Sequence, residues 1–166
     1  MLYLQLLQNP VPASRPRVTR WGVYYGKRYT AYRKDAHATI EQAIGEAKAE
    51  GILPIDSTLI VAQLYEVKKP KTTKLEYPNP DLDNLTKSLW DALQSHGVIQ
   101  DDKQILASIE TKRWTTTIPM THIIIQTVTS KDIKHVLTAE AQTLVQSMMT
   151  GTLGALAVTP TEMEKE

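Results

Sequence analysis

DLDNLTKSLWDALQSHGVIQDD, residues Asp81 to Asp102, is the stretch on which the reading of this chain turns. Leu82, Leu85, Leu89, Ala92 and Leu93 recur at helical spacing and predict an amphipathic helix. Asp81 or Asp83 can cap its start and Gly97 ends it. The stretch is also dense in short acids. If Asp81 and Asp83 stand at the extended entrance of the helix, period-two geometry aims both carboxylates the same way, with Lys87 one turn beyond Asp83 and Asp91 one turn beyond Lys87. A short return through Gly97–Gln100 can bring Asp101 or Asp102 back beside the helix start, so three carboxylates are expected to converge.

Convergence of this kind needs a counter-charge. Like charges about 6 Å apart repel by roughly 3 kcal/mol per pair at an effective dielectric of 20. A divalent cation removes that penalty, and an all-aspartate, oxygen-only set suits magnesium better than zinc. At a phosphodiester, such an ion activates water and stabilises the leaving oxygen. Lys87 can then hold a phosphate or neutralise charge in the transition state. The same residues have a plainer reading: Asp81 and Asp83 as helix caps, Lys87 paired with Asp83 and Asp91, and Asp101-Asp102 as an ordinary turn.

Outward from this stretch, Tyr3 to Leu7 read as a short strand closed by Asn9-Pro10, and Pro10, Pro12 and Pro16 impose an extended arm. WGVYYGKRYT, residues 21–30, suits a hairpin or flap, and residues 34–50 read as a helix stopped by Gly51. Strands are predicted over Ser57–Lys68, Ile105–Trp114 and His122–Val128. The last is apolar enough to be central, and the last two are candidate neighbours. A further helix is expected over Asp132–Met149, followed by a loose tail. The 166 residues fit one domain with peripheral arms.

The net charge of +1 conceals an uneven distribution. Between Met1 and Asp35, seven basic side chains, among them Arg15, Arg17, Arg20 and Arg33, face the single acid Asp35, a local net charge of +6. Lys68, Lys69, Lys71 and Lys74 form a second basic cluster just before the acidic one. Both invite a polyanion, and Arg15, Arg17, Lys69 and Lys71 are candidate phosphate contacts. The absence of cysteine excludes disulfides, thiolate zinc sites and a cysteine nucleophile, and suits a reducing cytoplasm. No apolar run approaches the roughly 20 residues that span a bilayer, and the first residues do not read as a secretory signal. His37, His96, His122 and His135 show no metal-ligand spacing and read as structural or surface groups.

Asp81, Asp83, Asn84, Lys87, Asp91-Ala92-Leu93 and Asp101-Asp102 together resemble the RusA Holliday junction resolvases, with their D-x-D-N-x-x-K motif, a following D-A-L and a later D-D pair. The Pro- and Arg-rich Pro10–Arg20 is similar to the opening of phage-type members. The resemblance implies a single α+β nuclease domain over residues 1–130, a mixed sheet of about four strands packed with two or three helices. Residues 131–150, outside the part that matches, read from their own sequence as a helical extension, and 151–166 as a flexible acidic tail. The resemblance further implies a homodimer that binds four-way DNA junctions and nicks two opposed strands symmetrically. Magnesium, or manganese in its place, would be held by Asp81, Asp83 and Asp102, with Lys87 as the essential lysine. Asp101 and Asp91 are weaker candidates. The alternatives are a metal nuclease of other branched DNA and a noncatalytic DNA-binding protein.

Overall fold

The computed structural model describes residues 1–128 together with Gln146. Apart from Gln146, the expected helix over Asp132–Met149 and the tail beyond it lie outside the described residues. In chain order the elements are β1 (Leu2–Leu6), β2 (Arg17–Thr19), β3 (Gly22–Tyr24), α1 (Lys27–Ala49), β4 (Leu59–Lys68), α2 (Leu82–Ser95), a 3-10 turn (Asp102–Gln104), β5 (Ile105–Thr115) and β6 (Met120–Thr127). Four strands form a mixed sheet in the order β1-β6-β4-β5, while β2 and β3 form a separate two-stranded hairpin. The α+β class follows from this arrangement.

Residue patterning accounts for the layering. Leu2, Leu4 and Leu6 of β1, Leu59, Val61, Tyr65 and Val67 of β4, and Ile123 and Ile125 of β6 alternate onto one face of the sheet. Against it pack Tyr29, Tyr32, Ala36, Ile40 and Ile44 of α1 and Leu85, Leu89, Ala92 and Leu93 of α2. Each fully buried Leu or Ile contributes about 1.5–3 kcal/mol relative to exposure. The opposite face carries Ala62, Leu64 and Ile124, with Tyr3 and Ile109 beside them. Glu66 on that face is gripped by Arg113 through Nε at 2.8 Å and a terminal nitrogen at 2.6 Å, and contacts His122 Nε2 at 3.3 Å. The other His122 nitrogen meets the Tyr3 hydroxyl at 2.8 Å. His122 is therefore a buried structural group.

Two sequence expectations are corrected. The first helix begins at Lys27, not near Lys34, so residues 27–30 belong to it and not to a flap. Tyr29 and Tyr32 continue the buried stripe of Ala36, Ile40 and Ile44 one turn further back, and that burial overrides the β preference of an aromatic-rich segment. The second concerns β5 and β6, which are not neighbours: β4 lies between them, parallel to β5 and antiparallel to β6. A parallel pair needs a crossover, and α2 supplies it. β6 is central as expected, pairing antiparallel with β1 on its other side.

Beneath α2 a buried polar chain fixes the helix to β4. Gln63, fully buried, donates to Thr86 Oγ1 at 3.2 Å and accepts from Trp90 Nε1 at 3.2 Å, and the Tyr65 hydroxyl donates to the same Thr86 oxygen at 3.3 Å. Burial pushes the Tyr65 hydroxyl well above its ordinary pKa, so it stays a donor.

Candidate active site

α2 starts at the C-terminal end of the parallel pair β4 and β5. Lys112, late in β5, donates from Nζ to the Pro80 carbonyl at 2.6 Å and so anchors the residue before Asp81. At its other end α2 closes in a Schellman turn: Gly97 N donates to Gln94 O at 3.1 Å and Val98 N to Leu93 O at 2.9 Å. Gly97 supplies the positive φ of 68° that this turn requires. The chain then reaches the start of the sheet, where Ile99 bridges Ile55 and the side chain of Gln104 donates to the Ile55 and Ser57 carbonyls, both at 3.0 Å.

This geometry separates Asp102 from Asp81 and Asp83. Asp81 and Asp83 stand at the head of α2. Asp102 opens the 3-10 turn before β5, at the foot, and α2 with its 14 residues is about 20 Å long. The expected return of Asp102 to the helix start does not occur, because Val98 and Ile99 are tied to Ile55 at the start of the sheet. The ligand oxygens of Asp81, Asp83 and Asp102 accordingly do not gather within 4.8 Å of one another.

The plain reading of the acids is realised for some residues and not for others. Asp81 occupies the capping position with extended φ and ψ of −63° and 139°, yet its side chain makes no cap bond. Among the described residues it accepts only from Asn84 Nδ2, at 3.4 Å. Asp83, in the first turn, makes no hydrogen bond or ion pair with the described residues, and the positive end of the helix dipole favours its charge. Lys87, well exposed, pairs loosely with Asp91 at 3.6 Å. Asp91 also accepts from the Tyr29 hydroxyl at 3.4 Å, a tie between the two helices. Asp101 is a cap: its carboxylate accepts from Lys103 N at 2.9 Å while Gln104 Oε1 accepts from Asp101 N at 2.9 Å. The backbone hydrogen bond from Lys103 holds the Asp101 carboxyl below the usual range.

Basic segments crowd the head of α2. The arm crosses it, with Ala13 N donating to the Asn84 carbonyl at 2.8 Å, and Arg15 and Arg17 follow two and four residues after Ala13. Asn9 Oδ1 accepts from Lys68 N at 2.9 Å, and Lys69 N donates to Thr115 O at 2.9 Å, which roots the loop bearing Lys69 and Lys71 at the same end of the sheet. The hairpin of β2 and β3 projects from the arm with Trp21 at its tip, 84% exposed, and Val18 and Val23 also in solvent. The Arg20 guanidinium lies 4.7 Å from the centre of the Trp21 ring. Sequence reasoning missed Lys112, Asn84 and Trp21 as organisers of this end. Lys112 and Asn84 act through contacts 32 and 71 residues apart, which no local pattern signals.

Two carboxylates at the start of α2, with basic segments rooted at the same end of the sheet, make the head of α2 the candidate site. A family model for the endodeoxyribonuclease RusA matches residues 8–126. The chain belongs to the RusA family. It is an endodeoxyribonuclease, and the RusA family acts on Holliday junction DNA. Nucleases of this kind generally depend on a divalent metal. A search among curated proteins found no matching relative. No described helix of this RusA chain is long and apolar enough to cross a membrane.

Proposed function

We propose that this endonuclease resolves four-way DNA junctions by paired symmetric nicks, using magnesium held by Asp81 and Asp83 of one protomer and Asp102 of the partner subunit. The observation that carries the reading is the meeting of Asp81, Asp83, the basic arm and the lysine loop at the head of α2. The donor set fits a hard cation. Asp83 is uncommitted among the described residues, Asp81 is held only by one long contact to Asn84, and all the offered atoms are oxygens. When bound, magnesium or manganese supplies charge neutralisation at the scissile phosphate and acidifies water.

The chain's own residues do the rest. Lys87, exposed and only loosely paired with Asp91, turns to the phosphate and offsets charge that builds in the transition state. Asn84 holds Asp81 and, through its carbonyl, the arm, so ligand and DNA contacts are positioned together. Arg15, Arg17, Lys69 and Lys71 grip backbone phosphates, and the exposed ring of Trp21 offers a face for a base unstacked at the branch. The nuclease domain spans residues 1–130 and works in a reducing cytoplasm.

A two-fold homodimer accounts for Asp102. β5 is the edge strand of the sheet, 11 residues long, with no described strand along its outer side. Antiparallel approach of two β5 edges about a two-fold axis reverses one relative to the other. The foot of one strand, where Asp102 lies, then meets the head of the other, where Asp81 lies. Two equivalent sites result, one for each opposed strand of a junction.

Mixing two inactive variants tests this arrangement. In a dimer of one Asp83→Asn protomer and one Asp102→Asn protomer, one site keeps all three carboxylates and the other loses two. The mixture is expected to recover single nicks on a labelled four-way junction without recovering paired cuts. A mixture as inactive as either variant alone, with subunit exchange verified, contradicts the shared site.

A further inference from the structure

At the foot of α2, far from the acidic head, three metal-ligating side chains from two helices converge. His37 lies in α1, Glu41 one turn later on the same face, and His96 directly follows the last residue of α2. His37 Nδ1 and His96 Nδ1 are 3.0 Å apart and the two rings stack with centroids 4.7 Å apart. Glu41 Oε1 is 3.9 Å from His96 Nδ1, while its other oxygen holds Lys48 Nζ at 3.2 Å. One ligand atom from each of the three lies within 4.8 Å of the others, and no other group of three among the described residues meets that condition.

We propose that His37, Glu41 and His96 form a second cation site, specific for a zinc-class transition metal, that clamps α1 to the C-terminal end of α2. Two imidazole nitrogens facing each other at 3.0 Å are joined either by an N–H···N hydrogen bond or by a cation between them, because two bare lone pairs repel. Zinc takes imidazole nitrogen at about 2.0–2.1 Å in a tetrahedral shell, which sets neighbouring ligands roughly 3.3–3.4 Å apart. The histidine pair, at 3.0 Å, reaches that spacing by opening a few tenths of an ångström, and a rotation of Glu41, monodentate because Lys48 occupies its other oxygen, completes a third position. A set of two nitrogens and one oxygen favours zinc over magnesium or calcium, which prefer oxygen throughout. The fourth position is left to water.

The surroundings keep the ligands competent. Burial, and next the neighbouring His37, hold His96 below its ordinary pKa against the opposing pull of Glu41, so its ring is unprotonated at neutral pH. The backbone is preset, since the Schellman turn fixes His96 and the clamp would steady the turn that leads to Asp102. The site is structural, and nothing in it draws on the acidic head of α2.

The rival to a metal is a proton shared as an N–H···N bond between the two rings. Calorimetric titration of the chelator-stripped full chain with zinc, in excess magnesium, separates them, with cobalt absorption as a second readout. The expected result is one zinc per chain at micromolar or tighter affinity, a raised melting temperature, and visible cobalt bands of tetrahedral intensity. His37→Ala and His96→Gln are each expected to weaken zinc by at least about a hundredfold, and Glu41→Gln, which keeps the shape of the side chain, by about tenfold or more. Asp83→Asn should bind zinc as the parent does. Absence of zinc binding by the parent at about 100 μM overturns the proposal and leaves the shared proton. Equal zinc binding by the parent and by Glu41→Gln and His96→Gln also overturns it.

Discussion

Lys112→Met removes the hydrogen bond that anchors the approach to Asp81 and keeps most of the alkyl stem. Lys112 Nζ donates to the Pro80 carbonyl at 2.6 Å in a half-buried setting, a short, charge-assisted contact. Bonds of this kind contribute about 1.5–3 kcal/mol. Water can replace the lost donor at the carbonyl, so the fold should lose only the lower part of that range. Water cannot hold the turn in one place, however, and Asp81 follows Pro80 directly. If the whole contribution is lost from the transition state, at about 1.36 kcal/mol per tenfold the cleavage rate falls roughly 10- to 150-fold. The assay is single-turnover cleavage of an end-labelled four-way junction at saturating enzyme and magnesium, with junction affinity measured separately in chelator. Affinity should stay within about twofold of the parent, because the change removes a positioning contact and not a phosphate contact. A variant with a lowered urea midpoint but the parent's cleavage rate would refute the reasoning, since the tether would then serve the fold alone.

The basic arm and lysine loop should act through counterion release: removing the charges of Arg15, Arg17, Lys69 and Lys71 together should lower the slope of log affinity against log salt by about 3 to 4. An unchanged slope in a filter-binding series means that they are solvated surface. His96 gives a pH dependence, measured in chelator. Its folded pKa lies below the ordinary 6.5 through burial and then His37, with Arg33 and Lys48 adding to the effect and Glu41 opposing it. The unfolded chain therefore takes up the proton first, and the contribution of His96 to stability, full above about 6.5, is lost as pH falls through the folded value. Urea midpoints should show this fall in the parent, and His96→Gln should flatten it; an equal fall in both would place the effect elsewhere.

Where side-chain periodicity decided an element, the sequence could be read. α2 was legible because Leu85, Leu89, Ala92 and Leu93 lie at helical spacing against the sheet, and Gly97 marks its end. The central place of β6 was legible from His122–Val128, whose isoleucines face both layers. The start of α1 was not, because Tyr29 and Tyr32 favour a strand locally and are helical only through burial against the sheet. The separation of Asp102 from Asp81 depends on Val98 and Ile99 joining the chain at Ile55, a pairing some 43 residues distant that local spacing cannot reveal. The meeting of His37 with His96, 59 residues apart, escaped for the same reason. At the head of α2, the residue types carry the proposal of a metal-dependent nuclease. The proposed completion by a second chain has no signal in local spacing.

Single-turnover cleavage of a labelled four-way junction by Asp81→Asn and Asp83→Asn tests the central claim most directly. Asn keeps nearly the same shape and caps a helix about as well as Asp, so a purely structural role leaves activity nearly untouched. The account predicts that cleavage nearly vanishes in both variants, because the cation loses an anionic ligand. Junction binding in metal-free buffer should be equal or tighter, since less negative charge faces the phosphates. Nicking by both variants at near the parent rate would contradict the assignment of the head of α2 as the active site.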